Sequence, residues 1–258
     1  MSKTILITGS TDGLGLATAQ RLLREGHRVL LHGRSAAKLR KVTQDTGARD
    51  SYAADLSSIA GARDLAQAVL ADVDRLDVLI NNAGVYKVSD PITLDGFDLR
   101  FSVNTIAPYA LTQALLQSLG PDARVVNLSS AAQAPYDLAA LRGEKRLDTH
   151  EAYAQSKLAL TAWTMGLAEE HASGPSFYAV NPGSLLATSM VTEGFGVSGK
   201  DIGIGVDILV RAALSAEFDG QSGAYYDNDI RAFSAPHPFA TERKNRETLM
   251  KQLQALLH

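Results

Sequence analysis

The stretch TILITGSTDGLG, residues 4–15, joins an apolar run to a turn that contains three glycines. An uninterrupted apolar run is typical of a strand buried on both faces, as in parallel sheets covered by helices. Gly9 can make the tight turn, Gly13 lets the backbone approach a pyrophosphate, and Gly15 lets the following helix pack closely on the strand. The spacing is G-x-x-x-G-x-G rather than G-x-G-x-x-G. Because the N-terminus of such a helix offers free N–H groups and a positive dipole end to an anion, the stretch predicts a dinucleotide-binding unit.

Short β-rich runs alternate with helical patterns through most of the chain. The predicted strands cover residues 4–8, 28–33, 50–54, 76–81, 123–129, 176–180 and 222–226. The predicted helices cover residues 15–26, 58–73, 97–120, 152–171, 203–216 and 241–257, and Pro108 should kink or split the third of them. This alternation predicts an α/β fold, a single-domain Rossmann-type doubly wound sheet of about seven mainly parallel strands flanked by helices, over residues 1–258.

The composition excludes several classes of protein. The 258 residues are 45% hydrophobic and 21% charged, as in ordinary globular proteins, and the net charge of −3 does not favour a nucleic-acid partner. There is no cysteine, which excludes disulfides, thiolate metal sites and cysteine nucleophiles. No apolar run reaches the ~18 residues of a membrane span, and the first residues lack the apolar core of a signal peptide. We therefore expect a cytoplasmic protein without a membrane span, and no metal site because the histidines lack ligand spacing.

The end of the second predicted strand bears on the choice of cofactor. It reads LLHGRS, residues 30–35, with Arg34 and Ser35 where an acidic residue would select NAD by binding the ribose 2′-hydroxyl. An arginine can instead pair with a 2′-phosphate, so we predict that NADP(H) is preferred over NAD(H). Asp12 argues in the opposite direction, because a carboxylate near the adenosine end would repel that phosphate. The alternative for Arg34 is a solvated surface charge.

A tyrosine and a lysine stand four residues apart in EAYAQSK, residues 151–157. On a helix this spacing places Tyr153 and Lys157 on one face. A nearby cation favours the phenolate and lowers the pKa of a tyrosine, so the pair fits acid–base chemistry. Two polar residues on a solvated helix face are the alternative.

Seven short motifs occur in a fixed order along the chain. They are TGSTDGLG (8–15), AADLSS (53–58), NNAG (81–84), VNT (103–105), NLSS (127–130), YAQSK (153–157) and NPGS (181–184). With these motifs at strand ends and on helices, the chain resembles the short-chain dehydrogenase/reductase family from residue 4 to about residue 190. A polar insertion, residues 134–150, followed by YxxSKLA is loosely similar to the retinol dehydrogenase-like branch.

The resemblance implies four catalytic residues. Tyr153 would exchange a proton with the substrate oxygen, and Ser130 would hydrogen-bond the same oxygen, with Ser129 as its structural neighbour and the alternative. Lys157 would lower the pKa of the tyrosine and hold the nicotinamide ribose. Asn104 would hold a water molecule of a proton relay, or would be an ordinary polar helix residue.

The resemblance also implies the cofactor-binding residues. Besides Tyr153 and Lys157, they are Gly9, Ser10, Thr11, Asp12, Gly13, Leu14, Gly15, Arg34, Ser35, Asp55, Leu56, Asn82, Ala83, Gly84, Pro182, Gly183 and Thr188. Asp55 would accept from the adenine amino group, and Thr188 would bond the carboxamide. Because PGSLLAT is one residue longer than the usual family spacing, Ser184 and Ser189 are alternatives to Thr188.

The reaction implied is hydride transfer between NADP(H) and a small-molecule carbonyl/alcohol substrate. The alternatives are a non-catalytic NADP-sensing protein and an epimerase or dehydratase on the same fold. The resemblance implies a homodimer or homotetramer in which the helices bearing Asn104 and Tyr153 pack between subunits.

Two further segments carry predictions. Substrate choice is assigned to a glycine-rich loop, residues 189–203, with Met190, Val191 and Phe195 as apolar cover and Tyr136 and Leu138 facing them from the insertion. The amphipathic segment 241–257 is predicted to be a helix that packs on the core of its own chain or contacts another subunit.

Overall fold

The computed structural model describes residues 1–188, 190, 192, 196 and 198–257. Within that part of the chain, eight strands form one sheet in the order β3-β2-β1-β4-β5-β6-β7-β8. The strands are Thr4–Ile7 (β1), Arg28–Gly33 (β2), Asp50–Ala53 (β3), Leu76–Asn81 (β4), Leu119–Leu128 (β5), Ser176–Asn181 (β6), Tyr225–Asp227 (β7) and Ala232–Ser234 (β8).

The strands from β3 to β7 are parallel, and β8 pairs antiparallel with β7. The predicted α/β class and parallel sheet are therefore confirmed, and the number of strands is eight instead of about seven. The additional strand is the three-residue β8, in which Ala232 pairs with Asp227. A segment this short has no periodicity from which a strand could be predicted.

Helices cover both faces of the sheet. They are Gly13–Arg24 (α1), Ala36–Thr46 (α2), Ile59–Asp72 (α3), Leu99–Phe101 (α4), Ala107–Leu115 (α5), Leu138–Leu141 (α6), Thr149–Glu170 (α7), Gly203–Leu214 (α8), Pro238–Thr241 (α9) and Arg243–Leu256 (α10).

The side chains of the central strands are divided between two apolar cores. Leu6 of β1 belongs to the core that includes α3, α5, α7 and α10, whereas Ile5 and Ile7 belong to the core that includes α1, α2 and α8. All three side chains are fully buried. Burial on both faces explains why the first strand is continuously apolar rather than alternating.

The predicted helix 97–120 is divided in the structure. A π-helical turn, Ser102–Ile106, separates α4 from α5, and Pro108 lies at the start of α5. Proline has no N–H to donate to the preceding turn. The wider turn keeps the helical path, with the Ala107 N–H donating to the Ser102 carbonyl. Single π-helical turns occur frequently at functional sites, and this one contains Asn104.

The C-terminal helix α10 packs on its own chain. Leu249, Met250 and Leu253 are buried in the core beside α7, and Met250 lies against Gly166. The same packing covers part of α7, one of the helices that the resemblance places between subunits. A helix long and apolar enough to cross a membrane does not occur among the described residues.

Candidate active site

A cavity of about 710 Å³ opens at the carboxyl ends of the strands, where the strand order reverses between β1 and β4. Open α/β sheets bind ligands at such a position, and this volume is in the range of ligand pockets. All of the predicted catalytic and cofactor-binding residues line this cavity except Ser10, Ser35 and Asn104.

The glycine turn forms one wall of the cavity. Gly9 and Gly13 have φ of 65° and 52°, where a side chain is strained. At Gly15 a Cβ atom would lie 2.3 Å from the Gly9 carbonyl oxygen, so only glycine fits. The Asp12 carboxylate caps α1 by accepting from the Gly13 N–H at 2.7 Å. The turn therefore places the positive end of α1 at the cavity wall without side chains in the way, as a pyrophosphate requires.

Asn82 connects the end of β4 to the glycine turn. Its amide nitrogen donates to the carbonyl oxygens of Thr8 and Gly9, at 2.8 and 3.1 Å. The Thr8 hydroxyl in turn accepts from the backbone N–H groups of Asn82 and Ala83, both at 3.0 Å. These bonds hold the glycine turn directly against the NNAG segment, and both segments line the cavity.

Two cationic side chains line the cavity where the adenosine of the cofactor is expected. Arg34 and Lys38 both line it, and Lys38 was not predicted from the sequence. Ser35 does not line the cavity, and its hydroxyl caps α2 by accepting from the Lys38 N–H at 3.3 Å. Lys38 could have been found from its position, four residues after Arg34 in the first turn of the helix that follows β2.

Asp55 lines the cavity after β3, next to Leu56. One of its carboxylate oxygens accepts from the Ser57 N–H at 3.0 Å. A carboxylate can accept several hydrogen bonds, so the predicted bond from an adenine amino group is compatible with this contact.

Ser130 and Tyr153 meet at the other end of the cavity. Both residues line the cavity, the Ser130 oxygen accepts from the Ala132 N–H at 3.1 Å, and the Ser130 hydroxyl acts to lower the pKa of the Tyr153 phenol. The neighbouring Ser129 is buried, with its hydroxyl 2.6 Å from that of Thr161. The structure thus places Ser130, and not Ser129, beside the tyrosine.

Lys157 lies one helical turn after Tyr153 on α7. Its Nζ donates to the Leu128 carbonyl oxygen at 2.8 Å and lies 5.7 Å from the centroid of the Tyr153 ring. The side chain is buried, and burial lowers the pKa of Lys157 to about 8.

The pKa of Tyr153 is raised in the protein alone. Burial raises it, the phenol of Tyr86 raises it further, and the Ser130 hydroxyl partly offsets both effects. The lowering by Lys157 concerns the site with an oxidised nicotinamide beside the phenol, and it stays a prediction.

Asn104 lies behind the cavity wall. Its side chain accepts from the Val85 N–H at 2.8 Å and donates to the Val85 carbonyl and the Ser156 hydroxyl, both at 3.0 Å. Gly84 separates it from Lys157, since a Cβ atom on Gly84 would lie 3.3 Å from the Asn104 Oδ1 and 3.5 Å from the Lys157 Nζ. The asparagine therefore holds the segment after NNAG, and its part in a proton relay stays a prediction.

At the nicotinamide end, Pro182, Gly183 and Thr188 line the cavity. Ser184, one alternative to Thr188, hydrogen-bonds Asp229 through both its hydroxyl and its backbone N–H. The other alternative, Ser189, lies outside the described residues. The Thr188 side chain faces Gly13, with Cγ2 at 3.7 Å from the position of a Cβ on that glycine.

Apolar side chains also line the cavity, among them Val85, Leu99, Val103 and Met190. Tyr86, which was not predicted, packs edge-on against Tyr153 with 5.0 Å between the ring centroids. Of the predicted loop, Met190 contributes to this wall, whereas Val191, Gly194 and Phe195 lie outside the described residues.

The insertion does not face the cavity, which corrects the prediction for Tyr136 and Leu138. The Tyr136 ring is buried edge-on against Phe239, 4.9 Å between centroids, and Leu138 packs on the same core. The backbone of the insertion is held to α7, because the Asp137 N–H donates to the Gln155 side chain at 2.9 Å. Apolar residues of the insertion complete a core and leave the cavity to other segments.

The described residues contain no group of three or more histidine, aspartate or glutamate side chains that could hold a metal ion.

Comparison with known proteins agrees with the geometry. The family model for short chain dehydrogenases matches residues 3–195. The chain belongs to the short chain dehydrogenase family.

Curated relatives of this short chain dehydrogenase include two mouse proteins. Retinol dehydrogenase 13 is 30% identical over 268 residues, which cover 94% of this chain and 80% of the relative. Retinol dehydrogenase 12 is 33% identical over 268 residues, which cover 96% of this chain and 84% of the relative. The family and these relatives identify an oxidoreductase that acts on an alcohol/carbonyl pair.

A solved structure of a short chain dehydrogenase from Escherichia coli CFT073, complexed with NADPH, is also similar. Its TM-score is 0.70 at 26% identity, covering 88% of this chain and 96% of that one. The likeness confirms the Rossmann-type sheet and is consistent with a nucleotide cofactor in the cavity of this short chain dehydrogenase.

Proposed function

We propose that this protein is an NADP(H)-dependent oxidoreductase that interconverts a carbonyl compound and an alcohol, with Tyr153 as the general acid and base. The observation that carries the proposal is that Ser130, Tyr153 and Lys157 line the same cavity as the glycine turn. The arrangement puts a proton donor and a dinucleotide site in one cleft.

The bound nicotinamide would supply or accept the hydride, so the protein has to supply position and a proton. In reduction, Tyr153 gives its proton to the developing alkoxide oxygen, and Ser130 donates a hydrogen bond to the same oxygen. Since its pKa is raised, the phenol is protonated at neutral pH and ready to donate. Lys157 holds the nicotinamide ribose and keeps a positive charge near the phenol when the proton leaves.

The preference for NADP(H) is supported by Arg34 and Lys38 at the adenosine end. A 2′-phosphate would meet two cations there, while the Asp12 carboxylate is turned to the Gly13 N–H. Charge-assisted bonds contribute about 1.5–3 kcal/mol each. We expect Arg34→Ala to weaken NADPH binding roughly 10- to 100-fold and NADH binding little. Arg40→Ala, which removes an exposed cation of α2, is the control. Equal binding of NADPH and NADH by the wild-type protein would contradict the preference.

Apolar side chains in the cavity wall support an apolar substrate. Val85, Leu99 and Val103 are three of these side chains, and none of them carries a charge that could pair with a polar group of the substrate. The names of the two mouse relatives refer to retinol, an apolar alcohol. We therefore propose an apolar aldehyde, ketone or alcohol as the substrate class.

The test is a panel of apolar carbonyl compounds and alcohols, followed by the absorbance of NADPH. Turnover is expected with the wild-type protein, and Tyr153→Phe should abolish it while cofactor binding is retained. Binding of NADPH without turnover of any substrate would instead support a non-catalytic sensor. Product formation without net NADPH consumption would support an epimerase or dehydratase.

A homodimer or homotetramer and a cytoplasmic location stay predictions. Light scattering of the purified protein tests the first, and fractionation of the source cells tests the second.

A further inference from the structure

We propose that His32 is a positioning residue for the nucleotide, whose imidazole holds the Gly9 turn in the arrangement that receives the pyrophosphate and adenosine. The inference rests on the proposed NADP(H) binding and assigns a role to a side chain that takes no part in the reaction itself.

His32 connects the ends of three strands. It stands near the end of β2, only 2% exposed, and lines the cavity. Its Nδ1 accepts from the Gly9 N–H at 3.0 Å, and its Nε2 lies 3.2 Å from the Ala54 carbonyl oxygen. A carbonyl can only accept, so Nε2 carries the hydrogen and Nδ1 has the free lone pair. The Ala54 contact therefore fixes the tautomer that the Gly9 bond requires.

The backbone of the same residue holds the next residue of the turn. The His32 N–H donates to the Ser10 hydroxyl at 2.9 Å, and the His32 carbonyl accepts from the Ser10 N–H at 2.9 Å. The β1–β2 pairing ends at Ile7 and Leu31. Beyond that point, His32 replaces the strand ladder and extends the connection between the two strands into the glycine turn.

The position of Gly9 leaves little room for displacement. It has a positive φ, and its Cβ position lies 3.0 Å from the Ala83 Cα. The Gly9 carbonyl also accepts from the Asn82 amide. If the Nδ1 acceptor is lost, the Gly9 N–H has to find another partner, and the turn that faces the pyrophosphate moves with it. A backbone N–H that is shielded from water and left without an acceptor destabilises the turn that carries it.

His32 does not act by charge. Burial lowers its pKa to about 4, so the imidazole is neutral near pH 7 and attracts no phosphate. Loss of the His32 side chain should therefore weaken the binding of NADPH and of NADH to the same degree, in contrast to loss of Arg34. The same loss should also weaken the binding of 2′,5′-ADP, which carries only the adenosine half of the cofactor.

The chain contains a matched control. His27, at the other end of β2, accepts from the Lys3 N–H through its Nδ1 at 3.1 Å and does not line the cavity. The two histidines make the same type of bond to a backbone N–H, one beside the cofactor cavity and one at the amino end of the sheet.

The experiment compares His32→Gln, His32→Asn and His27→Gln. The asparagine Oδ1 can occupy the place of Nδ1 and accept from Gly9, whereas the longer glutamine cannot. Dissociation constants for NADPH, NADH and 2′,5′-ADP are measured by calorimetry, together with the melting temperature of each variant.

We expect His32→Gln to weaken all three ligands about 5- to 50-fold, with an unchanged ratio of NADPH to NADH affinity. His32→Asn should recover most of the lost affinity. His27→Gln should bind each ligand with an affinity within about twofold of wild type, although its melting temperature is lowered as much as that of His32→Gln. Unchanged binding by His32→Gln, or equal weakening by His27→Gln, would overturn the inference. If His32→Gln does not fold, His32→Asn decides, since weakening beyond about tenfold there contradicts the Gly9 role. A wild-type protein that binds none of the nucleotides would refute the proposed function instead.

Discussion

The Lys157 Nζ lies 5.7 Å from the centroid of the Tyr153 ring, and the bond of this nitrogen to the Leu128 carbonyl is 2.8 Å long. The lysine is 4% exposed, and burial is the cause of its lowered pKa. Its charged form is therefore held at a cost to the folded protein. Such a cost is expected for a group that is kept for chemistry rather than for stability.

Lys157→Met should give a more stable protein without activity. Methionine fills a similar volume and removes the buried ammonium, so we expect a gain of about 1–2 kcal/mol in the free energy of unfolding near pH 7. Denaturant unfolding measures the gain, and an NADPH-coupled assay measures the loss of turnover. Lys244→Met, an exposed lysine of α10, should change neither. If Lys157→Met is less stable than wild type, the hydrogen bond to the Leu128 carbonyl stabilises the folded protein by more than the buried charge destabilises it.

Acidification should destabilise the protein partly through His32. Its pKa falls from 6.5 in the unfolded chain to about 4 in the folded protein. Between these values the unfolded chain binds a proton that the folded protein does not, so stability falls as the pH is lowered from 6.5 to 4. The contribution is up to about 3 kcal/mol. Unfolding measured along this range should show a smaller pH dependence in His32→Asn than in wild type, and identical curves would contradict the assignment.

Tyr86→Phe should change the pH dependence of catalysis. The phenol of Tyr86 contributes to the raised pKa of Tyr153, whereas its ring packs against the Tyr153 ring. Removing the hydroxyl keeps the ring contact, so the limb of the pH–rate profile for alcohol oxidation should move to lower pH by less than about one unit. Tyr136→Phe, in a ring remote from the cavity, is the control. If Tyr86→Phe leaves the pH–rate profile unchanged, the two phenols do not interact.

Gly15→Ala should disrupt the cofactor site. The added Cβ would lie 2.3 Å from the Gly9 carbonyl oxygen and 2.4 Å from the Asn82 Nδ2, so the turn itself has to move. We expect a loss of stability of about 1–3 kcal/mol and NADPH binding weakened at least about tenfold. At Gly120 the same substitution meets only the flexible Arg75 side chain, at 3.4 Å, and should be tolerated. A wild-type affinity of Gly15→Ala for NADPH would contradict the conclusion that only glycine is accommodated at this position of the turn.

The sequence predicted the features that depend on backbone constraints. The glycine turn and the order of strands and helices follow from residues that suit few other conformations, whereas the choice of Ser130 over Ser129 was implied by the family resemblance. Burial is harder to infer, because it depends on segments remote in the chain. Spacing alone suggested that Lys157 would lower the pKa of Tyr153, whereas burial raises it. For the same reason, the sequence did not show that Tyr136 faces Phe239 or that His32 supports Gly9.

The NNAG segment, residues 81–84, touches both ends of the cavity within four residues. The Asn81 amide donates to Asn127 of the neighbouring strand, Asn82 holds the glycine turn, and Gly84 lies against Asn104 and Lys157. Under the proposed function, this one short segment would position both the nucleotide and the proton donor. Redesign of cofactor specificity would then be best confined to Arg34 and Lys38, since a change in the central segment would misalign hydride and proton transfer together.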